Sequence, residues 1–131
     1  MGIKYLWDTN TVIYYLQQQF SISAGTFIDD LLKENHPAIS AITEIELLCW
    51  KTVSDKDYEL LLNFINDITV IELEQPIKLK TVEIRKNSRI KLPDAIIAAT
   101  AVVYNLTLIT RDTKDFKNVI GLKIIDPYII L

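Results

Sequence analysis

Five carboxylates in this chain are spaced so that they could share a divalent cation. Asp8 ends the run Lys4-Tyr5-Leu6-Trp7, and Glu46 lies a short way into the helical pattern that follows Ala38-Ile39-Ser40. Asp94 follows Pro93 at the head of a helical pattern, and Asp112 and Asp115 follow the run Leu106-Thr107-Leu108-Ile109. Carboxylates supply hard oxygen donors, which suit Mg2+ or Mn2+ rather than zinc. One histidine and one cysteine, His36 and Cys49, leave no soft-ligand set, and a Ser-His-Asp arrangement has no candidate beyond His36. His36, before Pro37, reads as a surface or capping residue. A carboxylate cage without an evident nucleophile suits metal-assisted phosphodiester hydrolysis, in which cations acidify a water and neutralise the attacking and leaving oxygens.

Each acid also has a plainer account. Asp8 could cap the following helix, Thr43 with Glu46 and Asp112 with Asp115 have capping-box spacing, and Asp94 would favour a helix dipole. Capping does not require acids from four separate segments on one sheet edge. Clustered carboxylates raise one another's pKa unless a cation compensates.

The elements must therefore bring these segments together. Short β-rich runs at Lys4–Trp7, Ala38–Ser40, Thr69–Leu73, Leu106–Ile109 and Lys123–Ile125 alternate with helical patterns. The helices are expected near 10–18, 25–35, 43–51, from the Ser54/Asp57 capping signal to 65, 77–89, and from Pro93 onward. Such alternation predicts an α/β domain with a mostly parallel sheet of four to five strands covered on both faces. Ligand crevices in such sheets open at the carboxyl ends of the strands. All five acids fall at that edge.

Charge is divided along the chain. The net charge is −3, but residues 1–75 hold four lysines against twelve acids, and residues 76–131 hold ten Lys and Arg against five acids. The basic run Lys78, Lys80, Arg85, Lys86, Arg89 and Lys91 leads to Asp94, while Arg111, Lys114 and Lys117 surround the last acids. Contacts of this kind to a phosphate backbone give affinity without sequence preference. An ordinary solvated helix face is the alternative.

Apolar residues make up 50% of the 131 residues and charged residues 24%, a globular composition with no repeat or linker, so one domain spanning 1–131 is expected. A single cysteine forbids an internal disulfide and suits a reducing compartment. The early residues hold no signal-peptide core, and no apolar run approaches the ~20 residues that span a bilayer. A cytoplasmic protein without a membrane partner is the expectation.

Four segments resemble the motifs of the PIN-domain family, and of VapC-type toxins in particular. They are Trp7-Asp8-Thr9-Asn10; Ser40-Ala41-Ile42-Thr43-Glu44-Ile45-Glu46-Leu47-Leu48; Leu92-Pro93-Asp94-Ala95-Ile96-Ile97-Ala98-Ala99-Thr100-Ala101; and Leu108-Ile109-Thr110-Arg111-Asp112-Thr113-Lys114-Asp115-Phe116. They occur in family order across nearly the whole chain. The resemblance implies a PIN-like, Rossmann-like three-layer sandwich and an Mg2+- or Mn2+-dependent endoribonuclease. It further implies inhibition by a co-expressed antitoxin and a homodimer. Asp8, Glu46 and Asp94 match the acidic positions, with Asp112 and Asp115 both open as the fourth, and Thr9 and Thr110 match supporting hydroxyls. Lys78, Arg85, Lys86, Arg89, Lys91, Arg111 and Lys114 are the expected RNA contacts. Cys49-Trp50 departs from the small residue common there. Ile13, Tyr14 and Leu16 beside Leu47, Leu48 and Trp50 could form an antitoxin groove or simply fill the core.

Other readings fit less well. A receiver-like domain wants paired acids after the first strand, and a HAD-type phosphatase wants a second aspartate where Asn10 stands. An interaction module is the rival of a different class, because mean hydropathy is +0.20 and Tyr14, Tyr15, Phe20 and Trp50 could serve a partner. A structure-specific DNA nuclease is the remaining alternative.

Overall fold

The structure, a computed structural model, describes residues 2–52 and 54–129. In chain order its elements are β1 (Tyr5–Trp7), α1 (Thr9–Leu16), α2 (Ile22–Glu34), β2 (Ala38–Ser40), α3 (Ala41–Cys49), α4 (Asp55–Asp67), β3 (Thr69–Ile71), α5 (Gln75–Asn87), α6 (Leu92–Val103), β4 (Thr107–Ile109), α7 (Thr113–Phe116) and β5 (Lys123–Ile125). The five strands form one sheet in the order β3-β2-β1-β4-β5 with every pairing parallel. In register, Leu6 faces Ala38 and Leu108, and Ile39 faces Val70.

Alternation along the strands divides the apolar side chains between two cores. Leu6, Ala38, Ile71 and Leu108 pack with Ile77, Ile84, Ala95, Ile97 and Phe116 beneath α5, α6 and α7. Trp7, Ile39 and Ile109 point the other way and pack with Val12, Ile28, Leu47 and Leu61 from α1, α2, α3 and α4. The central strands β1, β2 and β4 are covered on both faces and are mostly apolar, whereas the edge strands β3 and β5 begin with the exposed Thr69 and Lys123. This is the expected three-layer α/β arrangement, with all five strands present. Among the described residues no helix is long and apolar enough to cross a membrane.

Local boundaries shift slightly from the sequence expectation. Helix α6 begins at Leu92, one residue before Pro93, which still sits in the first turn where a missing N–H costs nothing. Ser54 caps α4 by accepting from Asp57 N at 3.2 Å, as its spacing predicts. The short helix α7 was not anticipated. Its four residues are too few for a periodic signal, and the buried Phe116 anchors it.

Strand order determines where a site can form. From β1 the chain adds β2 and β3 on one side, then crosses to β4 and β5 on the other. The connections therefore diverge between β1 and β4, and loops leaving the carboxyl ends of those strands open a crevice there. Those loops carry Asp8 and Thr110-Arg111-Asp112.

Candidate metal centre

Asp8 is nearly fully buried at the end of β1. It is the N-cap of α1, its Oδ1 accepting from Thr11 N at 2.9 Å. Its Oδ2 accepts from the Thr110 hydroxyl at 2.5 Å. Thr110 Oγ1 in turn accepts from Asp112 N at 2.9 Å, and Asn10 Nδ2 donates to Asp112 Oδ2 at 3.0 Å. Burial pushes the Asp8 carboxyl up to about 6; the Thr11 and Thr110 hydrogen bonds oppose this, and the Asp112 charge adds to it. Each Asp8 oxygen receives one protein donor and retains a lone pair.

Glu46 reaches the same edge from α3. Thr9 Oγ1 lies 2.6 Å from Glu46 Oε1 and 3.1 Å from Thr43 Oγ1. A hydroxyl has one proton, so donation to the carboxylate leaves Thr9 as acceptor from Thr43. Ser40, the N-cap of α3, accepts from Thr43 N at 3.1 Å, and its hydroxyl lies 3.2 Å from that of Thr43. The Thr43–Glu46 capping box is thereby corrected. Ser40 takes the capping role, and Glu46 sits further into the helix.

Asp94 occupies the first turn of α6 without capping it; the N-cap is Lys91, which makes no side-chain cap bond. Its carboxyl is raised above the ordinary aspartate range. Partial burial is the largest cause, followed by the charges of Asp115, Glu46 and Asp112, with Lys91 acting in the opposite sense. Asp112 likewise makes no side-chain cap bond to α7, so the Asp112–Asp115 capping box is also absent. Of the candidate acids only Asp8 is a side-chain cap. The other four need a different account.

Electrostatics links all five, since Asp94 feels Asp115, Glu46 and Asp112, and Asp8 feels Asp112. Among the described residues no three of these side chains are drawn together around one point. The donor types nonetheless suit a hard divalent cation: the carboxylates come from four segments, and those of Asp8 and Asp94 are raised, first by burial and then in part by neighbouring carboxylates.

The basic residues separate into groups that sequence could not distinguish. Arg89, Lys91 and Lys114 line a cleft of about 240 Å3 together with Asp94 and Asp115. Lys78 and Lys86 are exposed on α5, and Lys78 lies toward the end of the helix away from that cleft. Arg85 Nη1 donates to Ile90 O at 2.8 Å, which fastens the α5–α6 connection leading to Asp94. Lys80 pairs with Glu83 at 2.5 Å. Arg111 stacks on Tyr128, with 4.0 Å from its guanidinium carbon to the ring centroid.

The expected apolar groove beside α3 is partly core. Leu47 is fully buried and Trp50 half-buried against the Trp7 side of the sheet, while Leu48 remains exposed. An open groove of about 460 Å3 lies instead between α1, α2 and α4, lined by Tyr15, Leu16, Phe20, Ile28 and Leu60.

Comparison with known proteins follows the same lines. No curated protein sequence is significantly similar to the chain. Among solved structures, a toxin–antitoxin complex from Klebsiella pneumoniae matches at 32% identity with TM-score 0.70, covering 97% of this chain and 100% of that one. DNA-bound VapBC from Salmonella typhimurium matches at 23% identity with TM-score 0.82, covering 96% and 99%. VapBC2 from Rickettsia felis, bound to a promoter fragment, matches at 23% with TM-score 0.77, covering 94% and 98%. Residues 5–122 match the family model described as PIN domain. With motifs, sheet order and family model in agreement over most of its length, the chain belongs to the PIN domain family.

Proposed function

We propose that this protein is a metal-dependent endoribonuclease and the toxin of a VapC-like toxin–antitoxin pair. The observation that carries this reading is the electrostatic coupling of acids from four segments: Asp94 feels Asp115, Glu46 and Asp112, and Asp8 feels Asp112, while only Asp8 among them makes a side-chain cap bond. Asp8, Glu46, Asp94 and one or both of Asp112 and Asp115 would hold Mg2+ or Mn2+. When bound, such an ion supplies Lewis acidity toward the phosphodiester and an acidified water. Thr110 and Thr9 orient Asp8 and Glu46. Arg89, Lys91 and Lys114 offset the acidic field and attract the RNA backbone at the cleft beside Asp94 and Asp115.

The partner reading draws on the solved VapBC and toxin–antitoxin complexes and on the open groove between α1, α2 and α4, whose lining mixes apolar side chains with Gln18 and Asp29. An antitoxin segment laid along Tyr15, Leu16, Phe20 and Leu60 would bury surface now open to solvent. A homodimer is part of the same reading.

The test is incubation of antitoxin-free protein with a mixed RNA pool and a matched DNA pool, with Mg2+, with Mn2+ and with EDTA. RNA cleavage that needs metal and disappears in Asp8→Asn is the expected result. Cleavage of DNA alone would transfer the reading to a DNA nuclease, and no cleavage of either pool would favour an interaction module.

A further inference from the structure

Arg111 stands immediately before Asp112, and its side chain is held by aromatic rings. Its guanidinium carbon lies 4.0 Å from the Tyr128 ring centroid and 6.0 Å from that of Tyr14. Phe20 packs against both rings, at 5.7 Å from Tyr128 and 6.3 Å from Tyr14. The Tyr128 hydroxyl donates to Gln19 O at 3.0 Å, in the turn where Gln19 N bonds back to Tyr14 O at 2.9 Å.

Three distant segments therefore meet beside the acidic site. The chain after β5 turns back through Tyr128 N donating to Asp126 Oδ1 at 2.9 Å, and the end of β4 is tied to β5 by Thr110 N donating to Ile125 O at 3.1 Å. The loop after β4 is also fastened to α1 at two points one turn apart. Asp112 receives Asn10, and Arg111 faces Tyr14. The half-buried Tyr128 ring lies against the exposed Arg111 guanidinium. A guanidinium stacked on a ring keeps its charge while losing freedom of direction, which suits orientation better than capture of a mobile phosphate.

We propose that the Tyr128–Arg111 stack is a latch holding the acid-bearing loop after β4 in its working position, so that Tyr128 is a positioning residue for the metal site. The inference rests on the metal-dependent reading above and adds to it a role for the segment after β5.

The experiment compares wild type with Tyr128→Leu, Tyr128→Phe and Arg111→Ala in the full chain. Amide exchange at Asp112 reads the loop without metal, and Mn2+ affinity and RNA kinetics read the site. Tyr128→Leu should speed Asp112 exchange, weaken Mn2+ binding roughly tenfold or more and lower kcat with KM unchanged. Tyr128→Phe, which keeps the ring under the guanidinium, should remain close to wild type. Arg111→Ala should reproduce the Tyr128→Leu loss, and the double variant should add little to either. Unchanged Asp112 exchange in Tyr128→Leu overturns the latch, as does a raised KM with kcat and Mn2+ affinity intact. Faster exchange in a protein whose wild type binds no Mn2+ supports the latch and removes the metal reading instead.

Discussion

The Thr110 hydroxyl donates to Asp8 Oδ2 across 2.5 Å, joining the end of β4 to the end of β1 at the point where the strand connections diverge. Thr110 Oγ1 also accepts from Asp112 N, so one buried threonine sets the positions of two candidate ligands. Thr110→Val preserves shape and removes both bonds. It is expected to cost about 1.5–3 kcal/mol of stability, the range for hydrogen bonds to charged groups, and to reduce metal affinity roughly 10- to 100-fold. Melting curves and Mn2+ titration measure the two effects; a Val variant that matches wild type in both would remove Thr110 from the site.

Metal-free melts separate capping from clustering. Asn is as good an N-cap as Asp, so Asp8→Asn retains the bond from Thr11 N while removing a buried charge. Asp94 caps nothing and is opposed by Asp115, Glu46 and Asp112. Both Asn variants are expected to melt at or above the wild-type temperature without metal and to lose cleavage with it. Asp8→Ala should instead lose about 1 kcal/mol through the missing cap. A clear destabilisation by Asp94→Asn in the metal-free protein would point to a purely structural carboxylate.

The pH dependence follows from Asp8. Its folded-state carboxyl is raised from 3.8 to about 6, so between those values the folded chain binds more protons than the unfolded one. The resulting stabilisation is complete below about pH 4 and is lost as pH rises through 6. Asp94 contributes in the same direction. The metal-free wild type should therefore lose more stability over that interval than Asp8→Asn does, as read from denaturant midpoints at several pH values. Mn2+ affinity should rise over the same interval, because the cation displaces those protons. Equal pH profiles for the two proteins would contradict the burial argument.

Basic residues should divide by position. Arg89→Ala, Lys91→Ala and Lys114→Ala are expected to weaken RNA binding and to flatten its salt dependence by roughly 0.7 in log–log slope per lost contact. Lys78→Ala and Lys86→Ala should change little. Arg85→Ala should act through stability, because its guanidinium holds Ile90 O. Binding measured from low to high salt decides this; equal slopes for the Lys91 and Lys78 variants would make the cleft electrostatically ordinary.

Much of this arrangement was legible in the residues themselves. Apolar runs marked the strands, most clearly β1, β2 and β4 at the sheet centre, and Asp8 and Asp112 were recognisable by their places after two of them. The Thr9 and Thr110 hydroxyls bond to Glu46 and Asp8. The hydroxyl chain through Ser40 and Thr43 was missed, because Ser and Thr near a helix start read equally well as caps. Asn10 closes the first motif and stands where a second aspartate is lacking, and its donation to Asp112 depends on tertiary placement. The basic run looked uniform in sequence, yet Arg85 and Arg111 are engaged by a carbonyl and by rings that lie far away or across a turn. Residue type reports charge; the partner depends on tertiary placement.

The central claim is that carboxylates from four segments bind one kind of divalent cation. Calorimetric titration of Mn2+ into the antitoxin-free protein at neutral pH tests it most directly, with Asp8→Asn, Asp94→Asn and Lys78→Ala run alongside. Saturable binding by wild type and Lys78→Ala, lost or weakened at least tenfold in both aspartate variants, is the predicted result. Binding of equal strength in all four proteins, or no binding by wild type, would contradict it.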